Sequence, residues 1–321
     1  MRPALIGDIG GTNARLALVS PGEVTPHDIL NLPCADYPGV IEAVQDYLHR
    51  VGATGYNAPQ EACLAFACPV HAEWVKMTNN HWDFLKSDVQ QQLNLSLFKV
   101  INDFTAQALG VPHVASSDLV EVQPGHTQAH STRLIIGPGT GLGVAGVFPG
   151  QHAWIPLPTE GGHVTFAPTD STERALLDVF LQRHKRVSVE RILCGQGLLE
   201  LYQAYCTLEG MAPRCTSPAE VTTAANEGDS LATTALLRFL KILGDVCGDA
   251  TLTMGARGGV YLCGGILPRL LEWLPKSELR SAFVNKGRMG AYNADIPVWV
   301  VTAPWTGLLG AAEALHNEEV F

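Results

Sequence analysis

Ala4-Leu5-Ile6-Gly7-Asp8-Ile9-Gly10-Gly11-Thr12-Asn13-Ala14-Arg15-Leu16-Ala17-Leu18-Val19 is the stretch on which the fold turns. The apolar run Ala4–Gly7 ends in Asp8-Ile9-Gly10-Gly11-Thr12-Asn13, and Arg15–Val19 follows as a second β-like run, stopped by Pro21-Gly22. The pattern predicts strand, glycine bend and strand, a hairpin rather than a strand feeding a helix. Gly10 and Gly11 are free to take positive φ and carry no Cβ, so their amides can approach an anion closely. Thr12 and Asn13 add side-chain donors, and Asp8 is placed to hold Mg²⁺ through water. Read alone, the stretch fits an ordinary glycine hairpin equally well. The glycine spacing matches neither the dinucleotide fingerprint nor the P-loop, and no Gly-Lys-Ser/Thr occurs.

The design recurs about 130 residues later. Arg133-Leu134-Ile135-Ile136-Gly137 is an apolar strand, Gly137-Pro138-Gly139-Thr140-Gly141-Leu142-Gly143 a bend, and Val144–Phe148 a second strand. Two such units read as a diverged internal duplication. Together they suggest a nucleotide held between two phosphate-binding hairpins. Gly264-Gly265, ahead of an expected helix over Pro268–Leu274, adds a third close-approach turn suited to the adenosine side.

Between these bends, helical periodicity marks Val40–Leu48, Phe104–Leu109, Thr172–Leu181, Gly197–Leu208, Thr233–Gly244 and Thr306–Leu315. Apolar runs mark strands at Ala62–Ala67, Phe98–Asn102, Gly258–Cys263 and Ile296–Val301. Strands alternating with helices indicate an α/β sheet, built twice. The expected domains are 1–113 plus 303–321, and 114–302. No low-complexity linker separates them, so the boundary rests on the repeat.

Asp103 stands at the carboxyl end of a strand, where α/β sheets place ligands. A carboxylate there can accept the proton of an attacking hydroxyl. The plainer alternative is an N-cap for the helix beginning at Phe104. Glu160-Gly161-Gly162-His163 and Val189-Glu190-Arg191 bring polar groups into apolar or glycine-rich surroundings, and carboxylates there could accept bonds from vicinal hydroxyls. Each alone is more often a solvated residue. His126 and His130 have a metal-like spacing but lie in a polar loop with no acid close in sequence. Arg183-His184-Lys185-Arg186 reads as a solvated helix end.

Bulk properties remove several function classes. The formal net charge of −10 argues against nucleic acid and anionic membranes as partners, though not against a phosphate ligand held by amides and Mg²⁺. Eight cysteines form no C-x-x-C pair and lie in apolar contexts, as buried reduced thiols do. Residues 134–159 lack Asp, Glu, Lys and Arg, yet their six glycines and four prolines suit strand–turn–strand rather than a membrane helix. The N-terminus shows no signal-peptide pattern, and a cytoplasmic location is expected.

Taken in order, Gly7–Arg15, Ile101-Asn102-Asp103-Phe104-Thr105, Gly139–Gly143, Glu160–His163, Val189–Arg191 and Gly264-Gly265-Ile266 resemble the motifs of the bacterial glucokinase family, within the hexokinase/actin-like superfamily and outside its ROK branch. The resemblance runs over essentially the whole length. It implies a two-domain α/β fold of the actin-like/hexokinase, ribonuclease H-like kind with an interdomain active-site cleft. It implies ATP-dependent phosphorylation of glucose at the 6-hydroxyl with Mg²⁺, feeding glycolysis, by a cytoplasmic homodimer. Asp103 would be the base, and Asn102, Asp103, Glu160, His163 and Glu190 would bind sugar. Gly7, Asp8, Ile9, Gly10, Gly11 and Thr12 would hold ATP, with Gly139, Thr140, Gly264 and Gly265. Thr159 departs from the family's glycine before the glutamate, which should stiffen that loop and puts the placement of Glu160 in question. Pro304-Trp305-Thr306-Gly307 replaces a shorter turn, and the ROK zinc motif is absent. Competing readings are a kinase for another hexose, a silent sugar sensor, and a chaperone-like ATPase.

Overall fold

The opening apolar run becomes β1 (Ala4–Ile9), and the run after the glycines becomes β2 (Asn13–Val19), in a computed structural model that describes residues 2–320. β3 (Pro26–Pro33), α1 (Val40–Arg50), β4 (Glu61–Phe66), β5 (Trp74–Lys76), β6 (Asp83–Leu85), α2 (Lys86–Gln92), β7 (Leu97–Asn102) and α3 (Asp103–Gly110) follow. Next come β8 (Leu119–Gln123), β9 (Arg133–Pro138), β10 (Leu142–Pro149), β11 (Trp154–Pro158), α4 (Ser171–Leu181), α5 (Val189–Ile192), α6 (Gly195–Leu208), α7 (Pro218–Asn226) and α8 (Ser230–Met254). β12 (Val260–Leu262), α9 (Leu279–Val284), α10 (Gly290–Ala294), β13 (Val298–Val301) and α11 (Thr306–His316) complete the chain.

The described residues group into two compact units. The first comprises 2–118, 146–158 and 303–320. Its sheet runs β3-β2-β1-β4-β7, with β1, β2 and β3 antiparallel and β4 and β7 parallel to β1. The register sets Asp8 opposite Arg15. Leu5, Ile9, Leu16, Leu64, Phe66 and Tyr47 are among the side chains that fill its core. α3 and α11 pack backbone to backbone because their facing residues are small. A Cβ on Gly310 would collide with the Ala106 carbonyl, and one on Gly110 with the Thr306 carbonyl. The far end of α11 is tied down by Lys99, whose Nζ donates to the carbonyls of Ala314, Asn317 and Val320 at 3.1, 2.8 and 2.9 Å. Residues 146–158 belong with this unit, where Asn317 Nδ2 donates to the Trp154 carbonyl at 2.7 Å.

The second unit comprises 119–145 and 159–302. Within it the strand order is β10-β9-β12-β13-β8, β10 as far as Ala145, with β12 parallel to both β9 and β13 and β8 antiparallel at the edge. α8 supplies much of the core through Leu236, Phe239, Leu240 and Leu243, all fully buried. Local chemistry sets its ends. Asp229 caps the first turn by accepting from the Ala232 amide, and Gly255 closes the last in the left-handed conformation at φ 60°. Ser217 caps α7 in the same way, with Pro218 in the first turn.

One expected element does not form. Residues 268–274 make no α-helix but two single 3₁₀ turns, Leu267–Arg269 and Leu274–Lys276. Pro275 disfavours helical backbone at Leu274 and has no amide to continue a ladder, so the segment breaks where a helix would propagate.

Candidate active site

The first glycine bend is a tight turn closing the β1–β2 hairpin. The Gly10 amide donates to the Asn13 carbonyl at 2.9 Å, and the Gly10 carbonyl accepts from Asn80 Nδ2 at 3.2 Å. Neither Gly10 nor Gly11 has positive φ, contrary to expectation. At Gly11 the need for glycine is steric. A Cβ on Gly11 would lie 2.8 Å from Asn79 Cβ and 3.1 Å from its carbonyl oxygen. On Gly10 it would meet nothing nearer than the Asn13 carbonyl at 3.8 Å, so that side of the turn is open. Thr12 is exposed beside it. Ile9 is fully buried in the core, which leaves only its backbone for a ligand. Gly7 is buried within the sheet, where a Cβ would strike Leu64 and Leu16.

Asp8 is carried by β1. Arg15 Nη1 donates to Asp8 Oδ2 at 3.1 Å. Burial nevertheless raises the Asp8 carboxyl above its usual range, outweighing the pull of Arg15. Gly307 at the start of α11 packs on this carboxylate, a Cβ there falling 2.9 Å from Asp8 Cγ. The Pro304–Gly307 turn thus bears directly on Asp8.

Asp103 is the first residue of α3, but the cap belongs to its neighbour. Asn102 Oδ1 accepts from the amides of Phe104 at 2.9 Å and Thr105 at 3.3 Å. Asp103 Oδ1 shares the Phe104 amide at 2.9 Å. The capping role that competed for Asp103 is therefore filled by Asn102. Burial first, and then the negative charge of Asp8, push Asp103 up to about 7. A carboxylate with a pKa near neutrality is suited to accept a proton.

In the second unit, Glu160, His163 and Glu190 converge. Glu160 Oε2 lies 3.9 Å from His163 Nε2, and Glu190 Oε1 lies 3.8 Å from His163 Nδ1. These separations exceed hydrogen bonds, and the Glu160 and His163 side chains are 75% and 58% exposed, so both keep acceptor and donor capacity for a ligand. Glu190 projects from α5, whose short helix is capped by Ser188. Its Oε2 accepts from the Leu142 amide at 3.0 Å, within the second glycine bend. A Cβ on Gly141 would stand 2.5 Å from that oxygen, so a side chain there would push the Glu190 carboxylate aside.

The same bend opens toward Gly139 and exposed Thr140. Nothing lies within 4 Å of a Cβ built on Gly139, and its carbonyl accepts from the Gly195 amide at the start of α6, 2.9 Å away. Gly264 takes φ 86° and abuts the Pro138 carbonyl, so it requires glycine for conformation and for space. Gly265 beside it faces open space.

The polar acceptors are thus clustered by unit. Asp8, Asn102, Asp103 and the Gly10–Thr12 turn come together in the first. Glu160, His163, Glu190, Gly139, Thr140 and Gly264 come together in the second. Sequence reasoning missed Asn79 and Asn80, which back the first turn and whose only signal was two adjacent turn-forming amides in Thr78-Asn79-Asn80. It also treated Arg186 as a solvated helix end, whereas Arg186 Nη2 donates to the His163 carbonyl at 2.7 Å. His126 has an acid beside it after all, Asp295 Oδ1 at 2.8 Å, brought from a distant segment. All eight cysteines are free and buried. No helix among the described residues is long and apolar enough to cross a membrane.

Comparison with known proteins places this geometry in a family context. The family model described as Glucokinase matches residues 5–318. The glucokinase of Chromohalobacter salexigens is 67% identical, over 99% of each chain. The crystal structure of a glucokinase from an Antarctic psychrotroph superposes with TM-score 0.89 at 34% identity, covering 98% of this chain and 99% of that one. A Balamuthia mandrillaris glucokinase solved in complex with glucose shares the fold, with TM-score 0.79 at 22% identity, covering 98% of this chain and 93% of that one.

Proposed function

We propose the reaction and its division of labour from one premise: the chain belongs to the glucokinase family. The protein transfers the γ-phosphoryl group of ATP to the 6-hydroxyl of glucose, giving glucose 6-phosphate and ADP. Asp103 carries the reading. Its carboxylate takes the hydroxyl proton as the sugar oxygen bonds to the γ-phosphorus, and the bond from phosphorus to the ADP oxygen breaks. A base with a pKa near 7 holds the proton strongly enough to remove it, and a substantial fraction of it is ionised near neutral pH. Asn102, Glu160, His163 and Glu190 hold the remaining sugar hydroxyls, with carboxylate acceptors giving charge-assisted bonds. The open sides of the Gly10–Thr12 and Gly139–Thr140 bends, with Gly264 and Gly265, receive ATP through backbone amides.

The first unit's residues suit the magnesium ion that accompanies ATP. Asp8 and Asp103 are mutually repelling carboxylates, and Asp8 spends one oxygen on Arg15 while leaving the other without a partner among the described residues. Mg²⁺ retains most of its waters and binds through one or two carboxylates plus phosphates, so Asp8 would hold it through water. When bound, the ion supplies neutralisation of the phosphate charge. The family resemblance supports a cytoplasmic homodimer acting in glycolysis.

The test is ADP production from ATP and magnesium across a panel of hexoses, with Glu160→Gln and Glu190→Gln beside the parent. Glucose should give the highest kcat/KM. Each substitution should weaken glucose by about 1.5–3 kcal/mol, the worth of a charge-assisted bond, with KM for ATP little changed. A KM change confined to ATP would reverse the assignment of the two loops.

A further inference from the structure

We propose that Thr159 and Arg186 are positioning residues that latch the two ends of the Glu160–His163 loop and thereby set the affinity for glucose. The inference rests on the sugar-binding reading of that loop. It starts from two features that the reading leaves unused, a β-branched residue ahead of the glutamate and an exposed basic run.

The loop has little intrinsic reason to hold one shape. It contains two consecutive glycines, and Glu160 and His163 are exposed. At its entry, Thr159 Oγ1 donates to the Val144 carbonyl on β10 at 2.7 Å and accepts from the Gly161 amide at 3.1 Å. One hydroxyl thus ties the residue before Glu160 to the sheet and the residue after it to the same point. At its exit, Arg186 Nη2 donates to the His163 carbonyl at 2.7 Å and to Thr165 Oγ1 at 3.1 Å. The connection continues as backbone pairing. The Phe166 amide donates to the Val187 carbonyl at 3.1 Å and the Val189 amide to the Val164 carbonyl at 2.9 Å, which delivers the chain to Glu190. Arg186 therefore fixes His163 against the segment that carries Glu190.

Between the latches the glycines press the loop onto β10. A Cβ on Gly161 would lie 2.9 Å from Val144 Cβ, and one on Gly162 would collide with the Leu142 carbonyl. The expectation that Thr159 would disturb Glu160 is thus answered by its hydroxyl, which substitutes a bonded anchor for a flexible glycine. A loop ordered before the sugar arrives loses less conformational freedom on binding, and affinity rises accordingly.

The experiment compares Thr159→Val with Thr159→Ser, and Arg186→Met with Arg186→Lys, in the intact enzyme. Valine keeps the branched shape without the hydroxyl, and methionine keeps the stem without the donors. Each should raise KM and Kd for glucose roughly 3- to 10-fold, as loss of one or two modest hydrogen bonds does. KM for ATP and kcat at saturating glucose should stay within about twofold, because the chemistry and the nucleotide bends are untouched. Serine and lysine, which restore a donor, should recover most of the affinity. Hydrogen exchange of the Gly161–Thr165 amides without sugar should quicken in the valine and methionine variants only. Unchanged glucose affinity in both, or equal losses for glucose and ATP, would overturn the proposal. Glu160→Gln serves as the reference: if it weakens glucose while the latch variants do not, the latches alone fail. If it is silent too, the sugar reading of the loop fails.

Discussion

Asp103→Asn should give a protein that is nearly inactive and more stable than the parent. The side chain keeps its shape, and its oxygen can still accept from the Phe104 amide as Asp103 Oδ1 does at 2.9 Å. Loss of the base should lower kcat by about 10²–10⁴-fold. The stability gain follows from linkage. In the folded protein Asp103 is raised from 3.8 to about 7, chiefly by burial and then by Asp8. The fold therefore favours the protonated acid. Its contribution is fully present below the unfolded value and is lost as pH rises through the folded one. The rise from 3.8 to about 7 corresponds to roughly 4 kcal/mol lost by the parent above pH 7. Asparagine cannot ionise and keeps that increment. If only half survives relaxation, Tm at pH 8 should still rise by a few °C. The advantage should shrink steadily toward pH 4 and vanish there. Thermal unfolding from pH 4 to 8, with a coupled ADP assay on the same samples, measures both effects. A variant no more stable than the parent at pH 8, or an advantage independent of pH, would refute the burial argument.

The glycine bends give two further expectations. Gly10→Ala should fold with unchanged Tm yet raise KM for ATP, because its methyl enters the open side of the turn, whereas Gly11→Ala should also lower Tm by pressing on Asn79; unchanged KM for ATP in Gly10→Ala would make the turn merely structural. Gly141→Ala should displace the Glu190 carboxylate, which leaves only 2.5 Å for a Cβ, and raise KM for glucose above KM for ATP in isothermal and steady-state measurements.

Much of the fold was legible because its decisive signals are local. The hairpin around Gly10 and its counterpart around Gly139 are fixed by apolar runs stopped at glycines, and β1, β2, β9 and β10 follow them. α4 and α6 announce themselves through periodicity. The edges were less legible. β5 and β6 are only three residues long and β3 is half-exposed, so no sustained apolar run marks them, although each pairs with a strand close by in sequence. The segment after Gly265 looked helical because a proline at its start is a favourable sign, while Pro275 at its other end weighed too little.

Site residues were visible by type but not by what holds them. An aspartate after a strand and a Glu-Gly-Gly-His run can be read from a sequence, because acid and imidazole are the groups that the chemistry needs. Whether Asp103 is spent as a cap depends on Asn102 turning its own oxygen onto two amides, and only coordinates show that. The same holds for Thr159, whose branched side chain suggested disturbance until its hydroxyl was seen bonded to Val144. Arg186 makes the point most sharply. In sequence it is the last member of a basic run, and such runs are usually solvated, yet one of its nitrogens holds the backbone of His163 in the Glu160–His163 loop. The chemistry of a site is therefore written in residue identities, while its precision is written in neighbours whose identities look ordinary. Variants of those neighbours should separate binding from turnover in a way that variants of Asp103 cannot, since they alter where the acceptors stand and not what they are.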